Sequence, residues 1–133
     1  MTALILTAIL QATIAMRPID RGIASDMDNA RQASARTAQE WSRLWTQHAG
    51  ERTRPAVDFS TEVVVAVFMG TRPTAGFTVE IVRVREEGGA LVVSYTETRP
   101  APDSVTAQML TSPFHIVAIP KGAATDVKFE RVN

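Results

Sequence analysis

The chain has 133 residues, no cysteine, and fourteen basic residues against fourteen acidic ones, so its formal net charge is zero. A single domain of this length buries roughly two thirds of the surface that its unfolded chain exposes and folds without staples. The missing cysteine excludes disulfides, thiolate metal sites and a lipoprotein anchor, and the charge balance lacks the basic excess of a duplex-binding protein.

Residues 1 to 16 carry no charge, and the first charged side chain is Arg17. The apolar stretch Ala3 to Leu10, followed by Thr13-Ile14-Ala15, reads as a signal peptide ending at Ala15 and is too short to span a bilayer. It predicts an exported chain, periplasmic or secreted, with one β domain over residues 16–133 and no stable membrane anchor. The alternative for these residues is a buried first strand.

Arg17 to Gly22 is predicted as a short edge strand, since proline is tolerated at a strand's start or on its unpaired edge. Ser25 to Gln32 is polar and poorly periodic. Thr37-Ala38-Gln39-Glu40 marks a helix start, with Thr37 as cap and Glu40 reaching back to the Thr37 backbone N–H. The predicted amphipathic helix covers about 37–48 and ends at Gly50. Its spacing puts Trp41, Leu44, Trp45 and His48 on one face. The tryptophans could stack on a small ligand or glycan, but one helix beside a sheet needs large apolar residues there, and the core role is expected. His48, in the last turn, complements the helix dipole and is not read as catalytic.

From Glu62 the pattern is β. Val63 to Met69 is apolar on both faces, as a central, doubly covered strand requires. Phe77 to Ile81 alternates, and Val82 and Val84 change parity, which predicts a bulge near Ile81. Glu86-Glu87-Gly88-Gly89 forms a hairpin turn, and Ala90 to Glu97 returns. Val105 to Thr111, Phe114 to Ile119 and Asp126 to Val132 are three further predicted strands, the last a half-exposed edge. The expected fold is mainly β: an antiparallel sandwich or partly closed barrel with one helix.

If these strands form an up-and-down meander, Arg72-Pro73, Arg99-Pro100 and Pro120-Lys121 share one end of the sheet. Three proline-stiffened basic loops there would suit an acidic or carbonyl-rich protein partner, with Phe77 as an apolar anchor. Proline and arginine are also ordinary turn and surface residues, so plain solubility explains the same positions. The candidate partner-binding residues are Arg72, Pro73, Thr74, Gly76, Phe77, Arg99, Pro100 and Lys121.

No catalytic, metal or cofactor signature emerges. The two histidines, His48 and His115, have no ligand spacing, and His115 falls in an apolar strand where a hydrogen-bonded structural ring is expected. Asp58 with Glu62 and Glu86 with Glu87 read as solvated carboxylates, and Gly88-Gly89 lacks the length and lysine of a phosphate loop. A non-enzymatic chain without cofactor is expected.

Three stretches, Val57 to Ser60, Val65 to Ile81 and Leu110 to Val117, resemble the C-terminal domain family of PrcB, which is named as a subunit of a bacterial cell-surface protease complex. The most specific parts are Gly70-Thr71-Arg72-Pro73-Thr74-Ala75-Gly76-Phe77 and Thr111-Ser112-Pro113-Phe114-His115. The resemblance implies a small exported accessory domain whose partner is a protein, with a protease among the candidates. Pro73-Thr74-Ala75-Gly76-Phe77 also looks locally like the loop of chagasin-type inhibitors, immunoglobulin-like sandwiches that block a cysteine protease with loops from one end. That second likeness implies a peptidase inhibitor.

Overall fold

The computed structural model describes residues 13–133, so most of the segment read as a signal peptide lies outside the described residues. Seven strands and one helix follow in the order β1 (Arg17–Gly22), β2 (Arg31–Ala35), α1 (Ala38–Ala49), β3 (Glu62–Phe68), β4 (Thr78–Glu87), β5 (Ala90–Thr98), β6 (Phe114–Pro120) and β7 (Asp126–Arg131). One sheet has the order β1-β6-β3-β2 and the other β4-β5-β7. The result is a sandwich of two open sheets, with α1 as a third layer.

β3 shows why the chain folds this way. It lies between β2 and β6, and its side chains alternate between two cores. Val63, Val65 and Val67 face the second sheet, where they meet Val79, Ile81, Val84, Leu91 and Val93. Val64, Ala66 and Phe68 face the helix and pack with Trp41, Leu44 and Trp45. The apolar run on both faces is therefore a strand covered on both sides, as the sequence predicts.

The helix begins at the Thr37 cap, whose Oγ1 accepts the Glu40 N–H at 3.1 Å. Glu40 does not reach the Thr37 backbone; its carboxylate lies 3.4 Å from the Thr37 hydroxyl. Trp41 and Trp45 are 2% and 3% exposed, and each indole N–H donates to a backbone carbonyl, of Pro55 and Arg52 respectively. This overturns the glycan-stacking alternative, because neither ring presents a face to solvent.

β1 is an edge strand, the bulge falls between Ile81 and Arg83, and Gly88-Gly89 forms the β4–β5 turn, all as expected. Three expectations change. β2 starts within the stretch Ser25 to Gln32, read as polar and poorly periodic, and extends beyond it where the sequence predicts no strand, because its small residues Ala33 and Ala35 give little apolar signal. β7 runs parallel to β5, so the sandwich is antiparallel except at this pair. Val105 to Thr111 is not a strand: Ala107 spends its carbonyl on the Ala75 and Met109 N–H groups, and Val105 is fully exposed.

Candidate functional site

The turn Thr71 to Phe77 follows β3 and is fixed at both ends by glycine. Gly70 has φ +80°, and a Cβ there would meet the Ala30 backbone nitrogen at 2.7 Å. Only glycine lets the Asp28 to Ala30 backbone pass, and this passage brings the Thr71 N–H to the Asp28 carbonyl at 2.9 Å. Beyond it, Arg72 and Thr111 exchange backbone hydrogen bonds of 2.7 and 2.9 Å, the Thr111 hydroxyl donates to the Thr74 carbonyl, and the Ala75 N–H donates to Ala107.

The β4–β5 register pairs Thr78 with Thr98, so Arg99-Pro100 emerges beside Gly76-Phe77. Thr71 to Phe77, Arg99-Pro100 and the segment from Ala101 to Thr111 thus form one surface at one end of the sandwich. Lys121 is not part of it. β6 runs antiparallel to β3, pairing Glu62 with Pro120 and Phe68 with Phe114. Lys121 therefore sits beside the start of β3, where its N–H donates to Thr61 and its Nζ to the Phe59 carbonyl, a strand length of roughly 20 Å from Arg72. The meander that brought Lys121 to this end fails because Val105 to Thr111 adds no strand reversal.

The charges at this end are also less free than their residue types suggest. Arg72 is half-buried: its guanidinium lies 5.7 Å from the Phe77 ring centroid, Nη2 donates to the Met69 carbonyl at 3.2 Å, and Nε is buried with no hydrogen-bond partner. Phe77 is half-buried against the inter-sheet core instead of standing out as an anchor. Arg99 is exposed, 3.8 Å from Glu97. Pro73 is exposed, while Thr74 and Pro100 are half-buried.

Next to this surface lies a constellation the sequence did not disclose. His48 is completely buried, with Nε2 3.0 Å from Asp20 Oδ2 and Nδ1 2.8 Å from Ser25 Oγ. A carboxylate only accepts, so Nε2 donates to Asp20, and in the neutral ring Nδ1 accepts the Ser25 hydroxyl proton. These are the residue types of a nucleophilic triad, but Ser25 is 8% exposed and its Oγ also receives the Met27 N–H at 3.1 Å. The Phe114 ring lies against the imidazole at 4.2 Å between centroids, tilted by 59°. The arrangement is a clamp that joins β1, the following loop and α1. No spacing rule could have found it, because Asp20, Ser25 and His48 meet only through tertiary packing.

His115 has a structural role too: its Nδ1 accepts the Ile81 N–H at 2.8 Å, tying β6 to β4 next to the bulge. Burial holds its pKa below the ordinary histidine value, with Arg21 adding to the effect and Glu80 opposing it. Among the described residues no group of three or more His, Asp or Glu side chains is placed to hold a metal, and no helix is long and apolar enough to cross a membrane.

Residues 63–120 match the family model described as PrcB C-terminal. The matched segment runs from β3 through β6 and includes the whole Thr71 to Phe77 turn and the segment that packs on it. The resemblance carried by the two most specific motifs is thereby borne out over this stretch. Searches of curated proteins and of solved structures find no match.

Proposed function

From the PrcB C-terminal family pattern over residues 63–120, we propose that this chain is a non-enzymatic accessory domain that binds a protein, in the setting of a protease complex. The binding surface is the end of the sandwich bearing Thr71 to Phe77 and Arg99-Pro100. The observation that carries this reading is the density of contacts locking that end: four backbone or side-chain hydrogen bonds and the Gly76 to Pro100 packing hold otherwise irregular chain in one shape. Loops held in one shape lose little entropy when a partner docks. The uncharged residues 1 to 16 support export, which would place the domain in the periplasm or outside the cell.

The test is a pull-down from an envelope fraction with the parent chain and a Pro73→Ala, Arg99→Ala double variant. Both side chains are exposed, so the fold should tolerate their loss, whereas truncating Phe77 or Arg72 would disturb packing. A specific protein, above all a peptidase, retained by the parent and lost with the variant is the expected result. Equal recovery from both would remove this end from the binding surface.

A further inference from the structure

Exposed large apolar side chains are few among the described residues, and three of the six lie together: Ile23 at 38%, Met109 at 49% and Leu110 at 74%. Large apolar groups gathered on a surface mark sites of association. Ile23, Met109 and Leu110 line a groove of about 350 Å³ that opens beside Thr71, next to the turn already described. The volume falls at the small end of the range for binding pockets, with room for a side chain or two.

The groove's floor is rigid. The Ser25 N–H donates to the Ser112 carbonyl, the Ser112 N–H to Ile23, and the Ser112 hydroxyl to the Met27 carbonyl, while the buried His48 holds the Ser25 hydroxyl. Its rim is acidic. Asp26 and Asp28 are exposed and line it, no lysine or arginine does, and neither carboxylate forms an ion pair among the described residues. This rim is supplied by Asp26 and Asp28 of the loop between β1 and β2, and Arg72, folded onto Phe77, and Lys121, at the far end, do not line it.

We propose that this groove receives an extended protein segment in which an apolar side chain is flanked by lysine or arginine. The apolar side chain enters between Ile23, Met109 and Leu110, and the flanking cations meet Asp26 and Asp28. Apolar burial supplies the attraction and the carboxylates select the sign of the neighbours. The inference rests on the partner-binding reading above and assigns the chemistry of the segment that is bound.

The probe is the peptide acetyl-Gly-Lys-Leu-Lys-Gly-amide, titrated into the isotope-labelled chain and followed by amide chemical shifts, beside versions with Glu-Leu-Glu and Lys-Ser-Lys cores. The expected result is shifts confined to Ile23 to Asp28 and Met109 to Ser112, with binding about tenfold weaker for each control. Binding should weaken further as salt rises, because the rim charges are exposed. Leu110→Ser and the Asp26→Asn, Asp28→Asn pair should each weaken it, and neither change removes a buried group. No shift at the groove, or equal response to the Glu-Leu-Glu peptide, would overturn the proposal. If the pull-down partner is lost with Pro73→Ala, Arg99→Ala but kept by the groove variants, the groove assignment fails while the accessory-domain reading stands; a partner kept by all variants overturns both surface assignments.

Discussion

Gly76 lies directly against Pro100: a Cβ on Gly76 would sit 2.9 Å from the Pro100 Cβ, and the Gly76 backbone has φ +96°. Both facts oppose a side chain, one by contact with a rigid ring and one by backbone strain. Gly76→Ala should therefore cost about 1–3 kcal/mol. Urea unfolding should show a lower midpoint with an unchanged slope. Adding Pro100→Gly removes the contact and leaves the strained φ, so only part of the loss should return. An alanine variant as stable as the parent would mean that the two loops do not pack together.

The double covering of β3 was legible because seven consecutive positions from Val63 to Met69 are apolar, and only a strand between two layers satisfies both faces. The helix was legible from its cap and its 3–4 spacing. The shared end of Thr71 to Phe77 and Arg99-Pro100 followed from one hairpin, a local relation that a sequence can carry. Lys121 was misplaced because its position depends on how many strands intervene, and Val105 to Thr111 has the alternation of a strand but pairs only through Thr111, with Arg72. The Asp20–His48–Ser25 clamp was illegible for a related reason: it is made by packing between elements, and nothing in any one segment encodes it.

That clamp yields a second prediction. Asp20 Oδ2 accepts from His48 Nε2 at 3.0 Å and from Arg52 Nη2 at 3.1 Å. Asp20→Asn keeps an oxygen acceptor for the buried imidazole and should cost at most about 1 kcal/mol. Asp20→Ala leaves the buried N–H without a partner and should cost about 1–3 kcal/mol. The comparison is made by urea unfolding at one pH. Equal losses in the two variants would show that the hydrogen bond to His48 contributes nothing.

His115 gives the domain a pH dependence whose sign can be worked out. Burial lowers its pKa below 6.5, so the folded chain keeps the ring neutral where the unfolded chain begins to protonate. As pH falls through 6.5 the unfolded state binds more protons, and stability declines until the folded-state pKa is passed. His115→Asn retains an acceptor for the Ile81 N–H and cannot titrate. The parent should lose more stability than this variant between neutral pH and the pH region just below 6.5, read from urea midpoints. Parallel pH profiles for the two chains would refute a depressed His115.

The last prediction concerns the segment read as a signal. The Ile14 N–H donates to the Val84 carbonyl at 2.9 Å, and Ile14 and Met16 both pack against the inter-sheet core. Cleavage after Ala15 would remove Ile14 and keep Met16. A chain starting at Met16 loses one backbone hydrogen bond and one half-buried apolar side chain, together about 1–3 kcal/mol. Its melting temperature should be several degrees below that of a chain starting at Thr13. It should still fold, because the residues of both cores from Ala35 onward are untouched. A Met16 chain that failed to fold would rule out a cut after Ala15 and return Ile14 to the domain as part of its first pairing segment. Intact mass of protein recovered from the envelope then decides directly, with a chain beginning at Met16 as the expected form.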